Sequence, residues 1–302
     1  SVMGIKDILI NYLPILKILR QASNYNIAWK PDLIITIDAP EFNLRLASRI
    51  RKKWKNVKIV HYVLPSVWAW RQGRVKILKK NIDHILSILP FEKEFLKKFD
   101  IQCDFVGHPI SSNLQPKTRD VISFKRSFSL KDKTKIVTLL PGSRISEVNR
   151  MLPIFLKTAH LLSAKFPDIV FVCATPKVVE KYFKKLVSES NIKIEHISAE
   201  SVSSDEFDKL KKSLYACTDL ALVTSGTVVL ELAKASVPMI VGYRAGFLTE
   251  IIYRLFIRIP SANLVNLITK RKDIPEFLFN RCNSKNFYTQ AKLLLDKKKQ
   301  TE

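Results

Sequence analysis

Four short stretches carry side chains able to do chemistry, and each stands directly behind an apolar run. In Ile37-Asp38-Ala39-Pro40-Glu41-Phe42-Asn43, Pro40 stops a strand and leaves Asp38 at its carboxyl end. A carboxylate in that place reads in two ways. It caps a helix beginning near Phe42, or it is a general base whose apolar walls raise its pKa enough to take a proton from an attacking hydroxyl. The second stretch, His61-Tyr62-Val63-Leu64-Pro65-Ser66-Val67-Trp68-Ala69-Trp70-Arg71, is too aromatic for an ordinary surface turn. Singly, Trp68 and Trp70 suit packing between helix and sheet. Clustered with His61, Ser66 and Arg71, they suit the wall of a ligand site.

In the third stretch, Leu140-Pro141-Gly142-Ser143-Arg144-Ile145-Ser146-Glu147, a strand runs through a tight turn into a helix. Backbone N–H groups at such a helix start face outward, Gly142 lets a phosphate come close, and the Arg144 fork pairs with it. The plainer alternative is a capped helix start with an exposed Arg. The fourth stretch, Val223-Thr224-Ser225-Gly226-Thr227-Val228-Val229-Leu230-Glu231, repeats the design. Ser225, Gly226 and Thr227 suit a pyrophosphate, and Glu231 suits the hydroxyls of a ribose. Neither a Walker loop nor a G-x-G-x-x-G fingerprint is present, which counts against ATP hydrolysis and a standard dinucleotide site. No D-x-D motif accompanies the loops, so no metal and no other cofactor is expected.

These stretches need elements to position them. A chain of 302 residues suggests two domains, and 47% hydrophobic with 26% charged residues is a composition that folds. Short β-rich runs at Asp32 to Ile37, Val57 to Val63, His84 to Leu89 and Cys103 to Val106 alternate with helical patterns at Phe42 to Trp54 and Phe91 to Phe99. A further helix over Val2 to Arg20 is expected to kink or break near Pro14. After the polar stretch Pro109 to Pro116 the alternation restarts, with strands at Lys135 to Leu140, Ile169 to Ala174, Ile192 to His196, Leu220 to Val223 and Pro238 to Gly242. The expectation is two doubly wound parallel α/β domains, residues 1–112 and 113–302.

Lys and Arg number 51 against 27 Asp and Glu, a formal charge of +24, and Glu41 to Lys80 alone holds 12 Lys and Arg with one acidic residue. Such an excess calls for an acidic partner. Nucleic acid is not expected, because no recognised nucleic-acid module accompanies the charge. Four cysteines, Cys103, Cys173, Cys217 and Cys282, lie far apart without metal-ligand spacing and read as reduced thiols of a cytoplasmic protein.

Taken together, Ile37-Asp38-Ala39-Pro40, His61-Tyr62-Val63, Pro65-Ser66-Val67-Trp68-Ala69-Trp70-Arg71, Leu89-Pro90-Phe91-Glu92, Val106-Gly107-His108-Pro109, Leu140-Pro141-Gly142-Ser143-Arg144 and Ser225-Gly226-Thr227 with Glu231 resemble the lipid-A-disaccharide synthase family. The resemblance runs from Val2 to about Cys282. It implies the glycosyltransferase B fold, two Rossmann-like domains facing across a cleft. It also implies an inverting transfer from UDP-2,3-diacylglucosamine to the 6-hydroxyl of 2,3-diacylglucosamine 1-phosphate. By motif, Asp38 is then the catalytic carboxylate. Gly142, Ser143, Arg144, Glu147, Ser225, Gly226, Thr227, Glu231 and Asn266 surround the donor, and His61, Ser66, Trp68, Trp70, Arg71 and His108 line the acceptor side.

Some features depart from the family pattern. The chain begins after the family's N-terminal Gly-rich turn, so an incomplete first domain is expected, and it frays at Lys297 where the family continues into helices that join subunits as a homodimer. Leu64 stands where a Ser is usual, and no Pro adjoins Asn266. A remnant that binds UDP-sugar without turnover is the alternative to an active transferase.

Acylated substrates imply work at the inner face of a membrane. Phe247, Leu248, Ile251, Ile252, Leu255 and Phe256 fall at helical spacing, a stripe that suits burial or an interface. The basic excess of Glu41 to Lys80 is the stronger attractor, at about 1 kcal/mol per Lys or Arg near an anionic leaflet. Sedimentation with vesicles should therefore show binding that needs anionic lipid and weakens as salt rises. Salt-independent binding to neutral vesicles would transfer the role to the apolar stripe.

Overall fold

The computed structural model describes residues 5–112, 115–131, 134–246, 250–251 and 259–301, with side chains from Leu13 to Asp296 within those ranges. Contacts divide the chain into two compact units, with the change between Pro109 and Ile110, where composition placed it after residue 112.

The first unit runs α1 (Ile5–Trp29), β1 (Leu33–Ile37), α2 (Pro40–Lys53), β2 (Lys58–Tyr62), α3 (Arg74–Asn81), β3 (His84–Ser87), α4 (Pro90–Lys97) and β4 (Cys103–Phe105). Its four strands pair in chain order, β1-β2-β3-β4, all parallel. The kink or break expected near Pro14 does not end the helix, which continues through it to Trp29. Proline removes one intrahelical bond, but Leu19, with Leu16 and Ala22, packs into the unit's core and holds the later turns. In β1 the period-2 pattern is plain: Ile34 and Thr36 are buried, while Leu33, Ile35 and Ile37 are exposed.

The second unit runs α5 (Thr118–Ser127), β5 (Lys135–Leu140), α6 (Ile145–Lys165), β6 (Ile169–Thr175), α7 (Lys177–Ser188), β7 (Ile194–Ser198), α8 (Ser204–Ala216), β8 (Leu220–Thr224), α9 (Val228–Lys234), β9 (Met239–Tyr243), α10 (Leu264–Thr269), β10 (Glu276–Leu278) and α11 (Ser284–Thr301). Its sheet is parallel throughout, in the order β10-β9-β8-β5-β6-β7. Both faces are covered. Val137, Leu139, Leu220 and Leu222 share one core with Val148, Leu152 and Phe155 of α6 and Phe287 of α11. Ile136, Leu140, Ala221 and Val223 share the other with Leu214 of α8 and Val229 and Leu232 of α9. The near-continuous apolar runs of β5, β6 and β8 follow from this two-sided burial.

Three expectations shift. The seventh strand lies two residues later than the apolar run Ile192 to His196 suggests. The strand β10 was not legible, being three residues long with a charged one among them. Of the stripe Phe247 to Phe256, only Ile251 lies within the described residues, and it is exposed. Cys103, Cys173, Cys217 and Cys282 are free thiols. Among the described residues, no helix is long and apolar enough to cross a membrane.

The aromatic loop after β2 is fastened to α4 through one carboxylate. Glu92, 1% exposed, accepts from the Trp68 indole N–H at 3.0 Å and from the Leu89 backbone N–H at 3.0 Å. Phe91 meets Trp68 edge-on, with ring centroids 5.0 Å apart. Trp68 is thus a packing residue. Burial pushes the Glu92 carboxyl from 4.5 up to about 7, against the pull of both hydrogen bonds. The folded chain then keeps a proton that the unfolded chain releases, so stability falls as pH rises through that interval, by about 3 kcal/mol in all. Denaturant melts between pH 5 and 8 should show this decline in the parent chain, and Glu92→Gln should flatten it.

Candidate functional site

Strand order in the second unit reverses between β5 and β8. From β5 the sheet grows one way through β6 and β7, and from β8 the other way through β9 and β10. The helices that follow, α6 and α9, leave toward opposite faces, so the loops beyond β5 and β8 diverge and open a crevice. A cavity of about 410 Å³ occupies it. Gly142, Ser143, Arg144, Glu147, Ser225, Gly226, Thr227 and Glu231 all line it, with Leu140, Ala174, Pro176, Phe207, Lys211, Tyr215, Thr224 and Val228. The two loops sit about 80 residues apart in sequence, yet they form one site.

Within that lining some groups are committed to building the loops. Gly142 has φ +115°, and a Cβ there would meet Glu147 Oε2 at 2.5 Å and its Cβ at 2.6 Å. Glu147 accepts from the Ser143 backbone N–H at 3.0 Å and pairs with Arg144 Nη1 at 2.8 Å. It therefore sets the Gly-Ser-Arg turn and aims Arg144, whose side chain stays half-exposed. The Ser225 hydroxyl donates to the Ala262 carbonyl at 2.7 Å, so it fastens a neighbouring loop. Gly226, in contrast, has open space around it: the nearest atom to an added Cβ is the Thr224 carbonyl oxygen at 4.0 Å. The Thr227 hydroxyl makes no capping bond to α9.

Glu231 lies against Lys211 Nζ at 3.2 Å and accepts from the buried Tyr215 hydroxyl. Burial and the Glu231 carboxylate together push the Tyr215 phenol well above its ordinary value. Thr224 Oγ1 is buried in the lining and has no partner among the described residues. Lys211, Tyr215, Phe207 and Thr224 were not singled out by sequence. The first three come from the amphipathic helix α8, which carries no local motif, whereas Thr224 stood beside Ser225 in the fourth stretch. Asn266 is not brought together with the other eight. It lies outside the cavity lining, donating to the Ile274 carbonyl at 2.9 Å and accepting from the Ile274 N–H at 3.1 Å. A buried amide satisfied on both sides by backbone holds a loop.

In the first unit, Asp38 ends β1 and is exposed. The capping alternative fails, because the N-cap of α2 is Ala39 and no side chain caps it. Asp38 and Ala39 both take left-handed φ, +46° and +43°, a conformation that costs non-glycine residues about 1 kcal/mol or more each. Asn43 clamps the turn, donating to the carbonyls of Ile37 at 2.9 Å and Asp38 at 2.7 Å. It is a positioning residue whose only sequence signal was its place at the end of the first stretch.

The aromatic loop divides. His61 is fully buried on the inner face of β2, sharing a 2.8 Å hydrogen bond between Nδ1 and Thr36 Oγ1. Burial pulls its pKa down more than the Asp38 charge raises it. It is a core histidine, which corrects its place on the acceptor wall. Trp68 goes to α4, as described. Trp70 stacks under Arg71, 4.2 Å from guanidinium carbon to ring centroid. Arg71 also reaches Glu41 Oε1 at 2.9 Å, and Arg74 pairs with the same oxygen. This ties the loop to the start of α2 beside Asp38. Ser66 is exposed and its carbonyl accepts from the Ala69 and Trp70 N–H groups. His108 follows β4 near the end of the unit, half-buried, and burial lowers its pKa.

The profile of the lipid-A-disaccharide synthetase family matches residues 1–302. A lipid-A-disaccharide synthase of Ruegeria pomeroyi is 34% identical over 287 residues, covering 95% of this chain and 71% of the relative. One of Psychromonas ingrahamii is 35% identical over 295 residues, covering 98% and 75%. Among solved structures, the UDP-GlcNAc 2-epimerase of Methanocaldococcus jannaschii in complex with UDP-GlcNAc and UDP superposes with a TM-score of 0.58 at 16% identity, over 93% of this chain and 74% of that one. The ADP-heptose heptosyltransferase II of E. coli does so at 0.52 and 9%, over 94% and 81%. At such identities the likeness speaks for the two-domain Rossmann-like fold.

The two loop glycines should respond differently to alanine. Gly142→Ala meets both a positive φ and the Glu147 side chain, so it should lower stability by about 1–3 kcal/mol and disturb the turn. Gly226→Ala has room in the free protein, so thermal melts should barely move while UDP affinity falls. Equal loss of stability in both variants would remove the case that Gly226 is kept small for a ligand.

Proposed function

We propose, because the chain belongs to the lipid-A-disaccharide synthetase family and is thus a glycosyltransferase of lipid A biosynthesis, that it moves 2,3-diacylglucosamine from UDP to the 6-hydroxyl of 2,3-diacylglucosamine 1-phosphate. The observation that carries this reading is the single cavity in which the loops after β5 and β8 converge. Its volume and its mixture of apolar walls with a few polar groups suit a nucleotide-bound sugar.

In this reading the diphosphate lies over the start of α6. There Arg144, aimed by Glu147, and the backbone N–H groups of the turn offset the charge that grows on UDP as the glycosidic bond breaks. Gly226 admits the phosphates closely, Thr227 supplies a hydroxyl, and Glu231 accepts from the ribose. Asp38 is the general base. It removes the proton from the acceptor's 6-hydroxyl as that oxygen attacks the anomeric carbon from the side opposite UDP, which inverts the configuration. Its left-handed turn, held by Asn43, fixes where the carboxylate stands. The acyl chains of both substrates place the reaction at a membrane surface on its cytoplasmic side.

The test is direct: supply UDP-2,3-diacylglucosamine and 2,3-diacylglucosamine 1-phosphate and look for disaccharide 1-phosphate and UDP. Asp38→Asn should lower kcat by about 10²–10⁴ and leave UDP binding intact. UDP binding without disaccharide in the parent chain would overturn the transferase reading, and full activity in Asp38→Asn would overturn the base.

A further inference from the structure

A second cavity of about 410 Å³ lies in the first unit, between α2 and α3. Its lining holds Arg45, Arg74, Lys76 and Lys80 against the single carboxylate of Glu41, with the buried Leu44 and the exposed Ile77 beside them. That carboxylate is already spent, since Arg71 and Arg74 both pair with it. Arg45, Lys76 and Lys80 are exposed and take part in none of the described ion pairs. Elsewhere on the same two helices Arg51 pairs with Asp83 at 2.6 Å and Lys79 with Asp100 at 3.3 Å, while Arg49, Lys52 and Lys53 are exposed and take part in none of the described ion pairs. What sets the groove apart is concavity: Arg45, Lys76 and Lys80 line one hollow beside a carboxylate that is already paired.

From this geometry we infer that the groove between α2 and α3 binds the phosphate monoester of the acceptor, an inference that rests on the reading of the reaction given above. Concave cationic surfaces concentrate anionic ligands. A dianionic phosphate with three acceptor oxygens suits one guanidinium fork and two ammonium groups. Position decides which phosphate. Pro40 and Glu41 belong to the groove's lining and stand two and three residues beyond Asp38. An acceptor whose 6-hydroxyl meets Asp38 carries its 1-phosphate on the other end of one pyranose ring, so the phosphate site must begin close to the base. The groove does. Arg45 and Lys80 are specificity-determining residues for the phosphate, and Arg74 serves both the groove and the Glu41 anchor.

The experiment uses the double variant Arg45→Gln/Lys80→Gln, whose two side chains hold no partner that folding needs. With glucosamine 1-phosphate as probe, observed by phosphorus NMR titration, the parent should bind and the variant should bind about tenfold more weakly. Glucosamine without phosphate should not tell them apart. In turnover, the variant's KM for the acceptor should rise about tenfold with the KM for the donor unchanged. The difference should vanish with an acceptor that lacks the phosphate.

Equal binding of glucosamine 1-phosphate by parent and variant would overturn the inference. So would unchanged probe binding accompanied by lost binding to vesicles rich in anionic phospholipid, since the groove would then serve a headgroup. A parent chain that shows no turnover sinks the reaction assigned above, while the titration still decides the groove.

Discussion

Everything at the candidate site depends on the place where the second sheet changes direction. Parallel strands joined by right-handed crossovers put their helices on one face while the order grows one way, and on the other face when it reverses. Here α6 follows β5 onto one core and α9 follows β8 onto the other. No side chain of either helix can fill the gap between them. The crevice is thus a topological necessity before it is a binding site. The apolar runs of β5 and β8, buried on both sides, are what keep that gap in register.

A crevice opened by backbone must also be held open, and many polar groups at its rim do that. Glu147 holds the Gly-Ser-Arg turn, and Ser225 holds the loop at Ala262. What is left facing the space is a smaller set: Arg144, Gly226, Thr227, Glu231 with its Lys211 and Tyr215 partners, and the Thr224 hydroxyl, which has no partner among the described residues. Residues that a motif presents together therefore split between those that shape the loop and those available to a ligand. The distinction matters for reading mutations, because losing a group of the first kind lowers stability and binding together.

Sequence carried much of this because strand-end loops are local. An apolar run, a stop and a cluster of Gly, Ser, Thr and charge can be read without knowing the fold, and eight of the nine residues expected around the donor line one cavity. What remained hidden was tertiary. Lys211 and Tyr215 face the site only because α8 packs into the same core as α9, and nothing in their own neighbourhood marks them. His61 was misplaced for the opposite reason: its neighbours in sequence are a loop, but the pleat of β2 turns its ring inward, toward Thr36. A one-residue alternation decides between core and wall, and composition cannot see it. The bonds of Trp68 and Asn266 could not be read either, because their partners, Glu92 and Ile274, come from separate turns of chain.

Asp38 shows how the first unit solves a different problem. A carboxylate at a strand end would ordinarily be free to cap the next helix, and a capping carboxylate is neutralised by backbone N–H groups. The left-handed turn at Asp38 and Ala39 passes the cap to Ala39, whose methyl group cannot accept a hydrogen bond, and Asn43 holds the strained turn from inside the helix. The strain costs stability that a glycine at position 39 would recover, but it keeps the carboxylate out of the helix's own hydrogen bonding. Glu41, three residues on, is engaged by Arg71 and Arg74. Of the two carboxylates at this turn, Glu41 is held by two guanidinium groups, and Asp38 is left exposed and outside the hydrogen bonding of α2.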